Sequence, residues 1–331
     1  MKTIAFFNNK GGVGKTSLLY HLAYMFALRG RRVITADLDP QANLSGMFLQ
    51  DDRIEALWKS GGAATVYSSM QPLIEGTGDL LPVTPQVVST RLGLLPGDLT
   101  LSEIEDELSS QWPECLSGKA RAFRVTAAFD RMIRAAGSAL NADLGLIDVG
   151  PNLGAINRCA LVSAEFVVIP IGADLFSIRG LQNVGPKLRT WRREWEDRRS
   201  RVPSGLGFEL PTGEMKPIGY VISRYSSHGR GAAKAFQRWI DRAPYIYVHD
   251  VLGLPQEVSP AAVDDNRLAQ LKDYRSLMPM AQEARKPMFL LKPADGAIGG
   301  HQAAVQECYR DFEALAAEIE QRVGLESGPN P

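Results

Sequence analysis

Cysteine is scarce in this chain, with 3 in 331 residues. Cys115, Cys159 and Cys308 are odd in number, far apart and free of any CxxC spacing, so neither a disulfide scaffold nor a cysteine-built metal site is supported. An excess of either charge is also missing. Lys+Arg and Asp+Glu are 37 each and the net charge is zero, so the global balance exerts no pull on polyanions and a nucleic-acid surface has to be a local patch. No apolar run reaches the roughly 18 residues of a spanning helix. The four histidines, His21, His228, His249 and His301, are dispersed without ligand spacing, and His21 reads as a structural residue of the first helix. There is no internal repeat and no low-complexity tract. What remains is ordinary globular material: 45% hydrophobic and 22% charged residues, enough for a real core in one large domain or two ordinary ones. The beginning of the sequence reads as a strand running into a glycine loop rather than as a cleaved signal, and the expected compartment is the cytoplasm.

Short apolar runs alternate with helical patterns. Thr3–Asn8 and Val33–Ala36 are predicted strands, separated by a helix over Ser17–Arg29 with Gly30 at its C-terminal stop. Further strands are expected at Leu80–Val83, Leu92–Leu95, Leu144–Val149, Phe166–Ile171 and Ile218–Ile222. Helices are expected at Leu101–Ser109 (with Ser102 and Glu105 as a capping box), Arg121–Asn141, Ser177–Arg199, Ala232–Arg242 and Gln302–Val323. Runs of a few residues, apolar throughout, suit a parallel sheet covered on both faces. The fold class is therefore α/β: a doubly wound, mostly parallel sheet with helices on both faces, in a single domain over 1–325. Residues 51–143 are long for one crossover and are expected to hold extra elements. The tail, 326–331, is expected to be disordered.

The chemistry concentrates after the first strand. Gly11-Gly12-Val13-Gly14-Lys15-Thr16 follows a strand and opens a helix, the context a phosphate-cradling loop requires. Glycines let backbone N–H groups turn toward phosphate oxygens, and the helix N-terminus adds a partial positive charge. Lys15 would reach the β- and γ-phosphates and the Thr16 hydroxyl would ligate Mg²⁺. The loop departs from GxxxxGK[ST] at its first glycine, which is Asn9, and it carries a second lysine, Lys10, at its head. Asp148 ends the strand LGLID, where a carboxylate points into the ligand crevice, and is assigned to the Mg²⁺ shell through water. Asp37 and Asp39 leave the second strand with i, i+2 spacing, on one face of an extended segment.

KGGVGKT resembles the deviant Walker A motif of the ParA/MinD superfamily of dimeric ATPases. Asp37-Leu38-Asp39-Pro40-Gln41-Ala42-Asn43 is similar to the DxDPQxN switch I segment of ParA proteins, and Leu146–Gly154 to the Walker B strand with switch II. Ser276–Pro287 is similar to a late ParA segment. The resemblance implies ATP and Mg²⁺ as cofactors and a nucleotide site over Asn9, Lys10, Gly11, Gly12, Val13, Gly14, Lys15, Thr16 and Ser17, with Arg224 in the adenine region. It implies catalytic roles for Lys15, for Lys10 acting across a homodimer that forms on ATP binding, and for Asp39 orienting the attacking water. It also implies that Asp37 supports the metal. Gly150 stands where switch II has its first proline, which is expected to loosen that loop.

Basic residues suggest partners. Lys187–Arg201 holds seven basic residues against three acidic, interleaved with Trp191 and Trp195. It reads either as a solvated helix face or as a phosphate-backbone contact. Lys234, Arg238 and Arg242 recur at i, i+4, i+8 on one expected helix face. With Arg275, Arg285 and Lys286 they lie where ParA proteins bind nonspecific DNA. The expected function is a ParA-like ATP switch in DNA partitioning or cargo positioning, served by a ParB-like or other adaptor. One alternative is a ParA-like regulator of a secretion, cellulose-synthesis or defence system without DNA. The other is a MinD-type membrane switch, for which Ala303–Val323, rich in Glu and Ala, supplies no evident anchor.

Overall fold

The computed structural model describes residues 1–60, 62–172, 174–225, 237–255, 264–274 and 276–325, and of residues 224 and 225 the backbone alone. The expected tail, Lys234 and Arg275 lie outside the described residues.

Among the described residues eight strands form a mostly parallel sheet: β1 (Lys2–Phe6), β2 (Val33–Asp37), β3 (Gln86–Ser89), β4 (Leu92–Leu95), β5 (Leu144–Asp148), β6 (Phe166–Gly172), β7 (Lys216–Tyr225) and β8 (Arg267–Lys272). Their hydrogen-bonded order is β3-β4-β2-β5-β1-β6-β7-β8. Helices surround the sheet, and the α/β expectation is met. Residue contacts divide the chain into two compact units. One comprises Met1–Phe7, Arg31–Val167 and Lys187–Lys216, the other Asn8–Gly30, Val168–Pro186 and Pro217–Pro331.

In the first unit β1, β5, β2 and β4 run parallel, and β3 pairs antiparallel to β4. β2 and β5 are buried at every position, as strands covered on both faces must be. Gly93 in β4 gives the helix Ala128–Leu140 room. A Cβ there would come within 2.5 Å of Leu140 Cδ1. The stretch 51–143 contains helices at Asp51–Lys59, Val66–Glu75, Glu105–Glu114, Ala120–Thr126 and Ala128–Leu140.

Several expectations are corrected here. Leu80–Val83 is not a strand. Pro82 and Pro85 remove ladder donors on either side of Val83, and pairing begins only at Gln86. The single helix over 121–141 is two, broken at Ala127 (φ −93°, ψ 8°). Ser102 and Glu105 form no capping box. Leu99–Ile104 is a 3₁₀ turn capped by the Asp98 side chain, and Glu105 instead accepts from the amides of Ala155 and Ile156, opening the helix Ala155–Val162.

In the second unit the helix Lys15–Leu28 packs beside the long helix Gly300–Arg322, whose Cys308, Phe312, Leu315, Ala316 and Ile319 are buried. Arg29 pairs with the buried Glu320 at 2.7 Å. The apolar face of the last described helix is thus spent on the core, and among the described residues no helix is long and apolar enough to cross a membrane. β7 and β8 pair in parallel. β8, Arg267–Lys272, escaped the sequence reading because its apolar residues are interrupted by polar ones and flanked by charge.

Candidate functional site

The glycine loop leaves the end of β1 and turns into the helix Lys15–Leu28. Gly12 (φ +74°) and Gly14 (φ +83°) both occupy the left-handed region, where a side chain is strained even though a Cβ would meet nothing within 4 Å. Gly14 is the N-cap of the helix. No side chain caps that end and no acidic residue lies in its first turn, so the first amides and the dipole of the helix stay available to an anion. Lys15 is buried, and its ammonium reaches the Lys10 carbonyl at 3.4 Å. The head of the loop is fixed differently. Asn8 Nδ2 donates to the Pro170 carbonyl at 2.8 Å, and the Lys10 amide donates to Asn8 Oδ1 at 3.0 Å. Lys10 Nζ makes an ion pair with Asp174 at 2.7 Å, a contact with no signal in the sequence.

Beside this loop the same unit holds a cavity of about 180 Å³, walled by Ser17, Leu18, Tyr274, Met278, Met288 and Phe312. Ser223 also lines it. Its sequence neighbour Arg224 lies in β7, and the Arg224 side chain falls outside the described residues. His21 braces one wall. It is fully buried, the Met288 amide donates to its Nε2 at 3.1 Å, and its Nδ1 therefore carries the proton given to the Ser17 carbonyl at 2.7 Å. Burial drives its pKa down to about 4, against the smaller opposing pull of the Ser17 carbonyl. The structural reading of His21 stands.

The acidic residues gather in the first unit. Asp37 and Asp148 end neighbouring strands in register with each other, and Phe6 at the end of β1 is in register with Asp148. Both carboxylates are fully buried. Asp37 Oδ2 accepts from the amide and hydroxyl of Ser45, each at 2.8 Å, while its Oδ1 is buried without a hydrogen-bond partner. Burial pushes the Asp37 pKa up to about 7. The Ser45 bonds oppose the shift, and the charge of Asp39 adds to it. Asp39, 7% exposed, accepts from the Gln41 amide at 3.0 Å.

Gly150 lies against Asp39, where a Cβ would come within 3.3 Å of Asp39 Oδ1. The expected loosening of this loop is not what the structure has. Asn157 donates to the carbonyls of both Gly150 and Asn152 at 2.8 Å, and Asn152 Oδ1 accepts from the Gly154 amide. Side-chain hydrogen bonds replace the proline restraint.

The basic run Lys187–Arg201 loses its nucleic-acid reading in part. Trp191 and Trp195 are 1% and 0% exposed, and Trp195 Nε1 donates to the Pro211 carbonyl. Arg192 and Arg198 donate to backbone carbonyls of Glu214, Met215 and Trp112. The aromatics are core, so no stacking platform is offered. Elsewhere Arg238 and Arg242 are exposed and approach the Trp239 ring at 5.8 and 5.2 Å. Lys286 is paired with Asp295 at 2.7 Å. Arg285 is half-buried at a helix C-terminus with φ +48°.

Comparison with known proteins decides the family. The AAA domain family matches residues 1–198. Protein IncC of Escherichia coli is 32% identical over 184 residues, which are 56% of this chain and 44% of that protein. A ParA family protein of Chlamydia pneumoniae is 30% identical over 187 residues, 56% of this chain and 64% of that protein. The chain belongs to the ParA/MinD superfamily. Within it, the similarity is to ParA-like partitioning ATPases. The chain spans 44% and 64% of the length of these two relatives, less than two thirds of either. A solved structure, protein DIP2308 from Corynebacterium diphtheriae, superposes with a TM-score of 0.71 at 25% identity, covering 97% of this chain and 98% of that one. For a ParA/MinD chain, Asp174 beneath Lys10 and Asn157 beneath switch II are residues that motif reading alone does not find.

Proposed function

We propose that this chain is an ATP-dependent dimerising switch that hydrolyses ATP to ADP and phosphate and works in DNA partitioning or cargo positioning on nonspecific DNA. The observation that carries the reading is the Asn9–Thr16 loop. It has two left-handed glycines, a bare helix N-terminus and a buried lysine, built to wrap a polyphosphate. In this reading the amides from Gly11 to Ser17 hold the phosphates and Lys15 neutralises them. Lys10 completes the site of a partner chain. Asp39 orients the attacking water, and Arg224 stands near the adenine. The cavity beside Ser17 takes the base, with Tyr274, Met278 and Phe312 as its apolar walls.

Mg²⁺ fits the residues present. Asp37 Oδ1 is a buried carboxylate oxygen lacking a hydrogen-bond partner, and burying it so is costly unless a cation or its water compensates. Thr16, Asp37 and Asp148 are the residues that would hold the ion, which supplies charge neutralisation at the phosphates when bound. Dimerisation would double the patch of Arg238 and Arg242, offsetting the zero net charge on a DNA backbone. A ParB-like or other adaptor is the expected stimulator of turnover, in a cytoplasmic, nucleoid-associated setting.

A second reading, a ParA-like regulator without DNA, is favoured by the Lys286–Asp295 pair and the buried tryptophans of the basic run, which remove candidate DNA contacts. Sedimentation with generic duplex DNA at low salt separates the two. ATP-dependent retention supports the first reading, and equal non-retention with and without ATP supports the second.

A further inference from the structure

A second cavity lies wholly in the first unit and shares no lining residue with the one beside Ser17. Its volume is about 400 Å³. Three segments distant in sequence wall it: the stretch Leu80–Val83, the helix Ala128–Leu140 through Met132 and Ala135, and Phe208 from the loop that precedes β7. Bonds outside the cavity hold these walls in place. The Leu81 amide donates to the Ser69 carbonyl at 3.0 Å, and the Leu81 carbonyl accepts from the Ser69 hydroxyl. Asp79 accepts from the Leu80 amide at 2.8 Å and gathers Arg124 and Arg131 at 2.9 and 2.7 Å. The Arg131 guanidinium in turn lies 4.4 Å from the centroid of the Phe208 ring. The lining is mostly apolar, so a water inside finds few of the two to four polar partners it needs.

One polar device is built into this wall. Asp130 is 1% exposed, and both its carboxylate oxygens accept from Arg134 Nε at 2.9 Å. Burial pushes the Asp130 pKa up to about 6, against the opposing charge and hydrogen bonds of Arg134, so the group is a carboxylate at neutral pH. The buried carboxylate fixes the guanidinium by its Nε edge. Arg134 Nη1 and Nη2 are left without a hydrogen-bond partner among the described residues. Two such donors side by side match the two oxygens of a carboxylate. Arg131, by contrast, has both Nη atoms committed to Asp79. Because Asp130 cancels most of the Arg134 charge, the site suits a monoanion and disfavours a phosphate dianion.

We propose that this cavity binds a small apolar monocarboxylate, an acyl or aryl acid whose body fills the space beside Met132 and Phe208 and whose carboxylate takes the two Nη groups of Arg134. The site does not depend on the ATP reading. Against the roughly 30 Å³ that a water takes in the liquid, the volume admits a ligand of about a dozen non-hydrogen atoms. Glu209 also lines the cavity but is exposed, and as an anchor it would select an amine instead.

Calorimetry of the full chain with octanoate, phenylbutyrate, octanol and octylamine tests the site. At least one of the two acids is expected to bind at one site per chain, and octanoate is expected to bind more tightly than octylamine. The double variant Asp130→Asn with Arg134→Gln removes both charges without orphaning either. It should weaken the acid about tenfold and leave octanol unchanged. Arg134→Lys keeps a cation beside Asp130 but lacks the fork, and should weaken the acid by a smaller factor. Ala135→Trp places an indole in the space from an exposed helix position and should abolish binding of acid and octanol alike. Melting temperatures check that each variant is folded. Four results would each overturn the site: neither acid binding wild type near millimolar concentration, octylamine binding more tightly than octanoate, an acid indifferent to the charge variants, or acid binding that survives in Ala135→Trp.

Discussion

His21 gives the most calculable consequence of this architecture. It joins the first turns of the loop helix to Met288, both on the wall of the cavity, and it stacks on Phe312 at 5.0 Å between ring centroids. Its folded pKa is near 4 against 6.5 for the free side chain. Between these values the unfolded chain binds a proton that the folded one refuses. The associated stability is therefore fully present above pH 6.5 and is lost as pH falls toward 4. The whole interval is worth about 3 kcal/mol, and about 2 kcal/mol of it is gone by pH 5. The perturbation is His21→Gln, which keeps polar atoms at the site and does not titrate. Urea unfolding of both proteins at pH 7.5 and pH 5 is the assay. Every other titrating group is common to the two chains and cancels in the difference. Wild type should lose about 2 kcal/mol more than the variant over this range, whatever the constant offset between them. Parallel losses would mean that His21 accepts a proton in the folded state, and the brace as described would be wrong.

Asp39→Ala should lower phosphate release about a hundredfold or more while leaving an ATP-bound dimer that persists in light scattering; unchanged turnover removes Asp39 from the reaction. Asn157→Ala deletes both bonds that hold switch II and should cost about 1–3 kcal/mol, with faster amide exchange confined to residues 149–157. Unchanged exchange there would show that the loop is held by something else. Arg238→Ala combined with Arg242→Ala should weaken DNA retention and lower the slope of log affinity against log salt by about two. A slope equal to wild type would move the DNA surface elsewhere.

The strand-to-helix glycine turn and the placement of the three aspartates were legible in the sequence because each is a local pattern: glycines where φ must be positive, and carboxylates at the end of an apolar strand or just beyond it. β1, β2, β4, β5, β6 and the Ile218–Ile222 part of β7 were legible as short, mostly apolar runs. What was not legible depends on distant partners. Nothing near Asp174 announces that it will face Lys10, 164 residues earlier. Ser102 and Glu105 have capping-box spacing, yet Glu105 serves a helix that begins 50 residues later. The tryptophans of the basic run look like stacking residues until burial shows them to be core. Gly150 looked like a weakness because the sequence does not display the Asn157 side chain that replaces the proline's restraint. β8 was hidden by its interrupted polarity.

The central claim is that ATP with Mg²⁺ joins two of these chains through the loop that carries Lys10 and Lys15. Multi-angle light scattering of the 36.2 kDa chain, with calorimetry on the same samples to count bound nucleotide, tests it most directly. The account predicts nucleotide binding accompanied by a doubling of mass in wild type, and binding without that doubling in Lys10→Ala. Saturated nucleotide binding by wild type at constant monomer mass would contradict it.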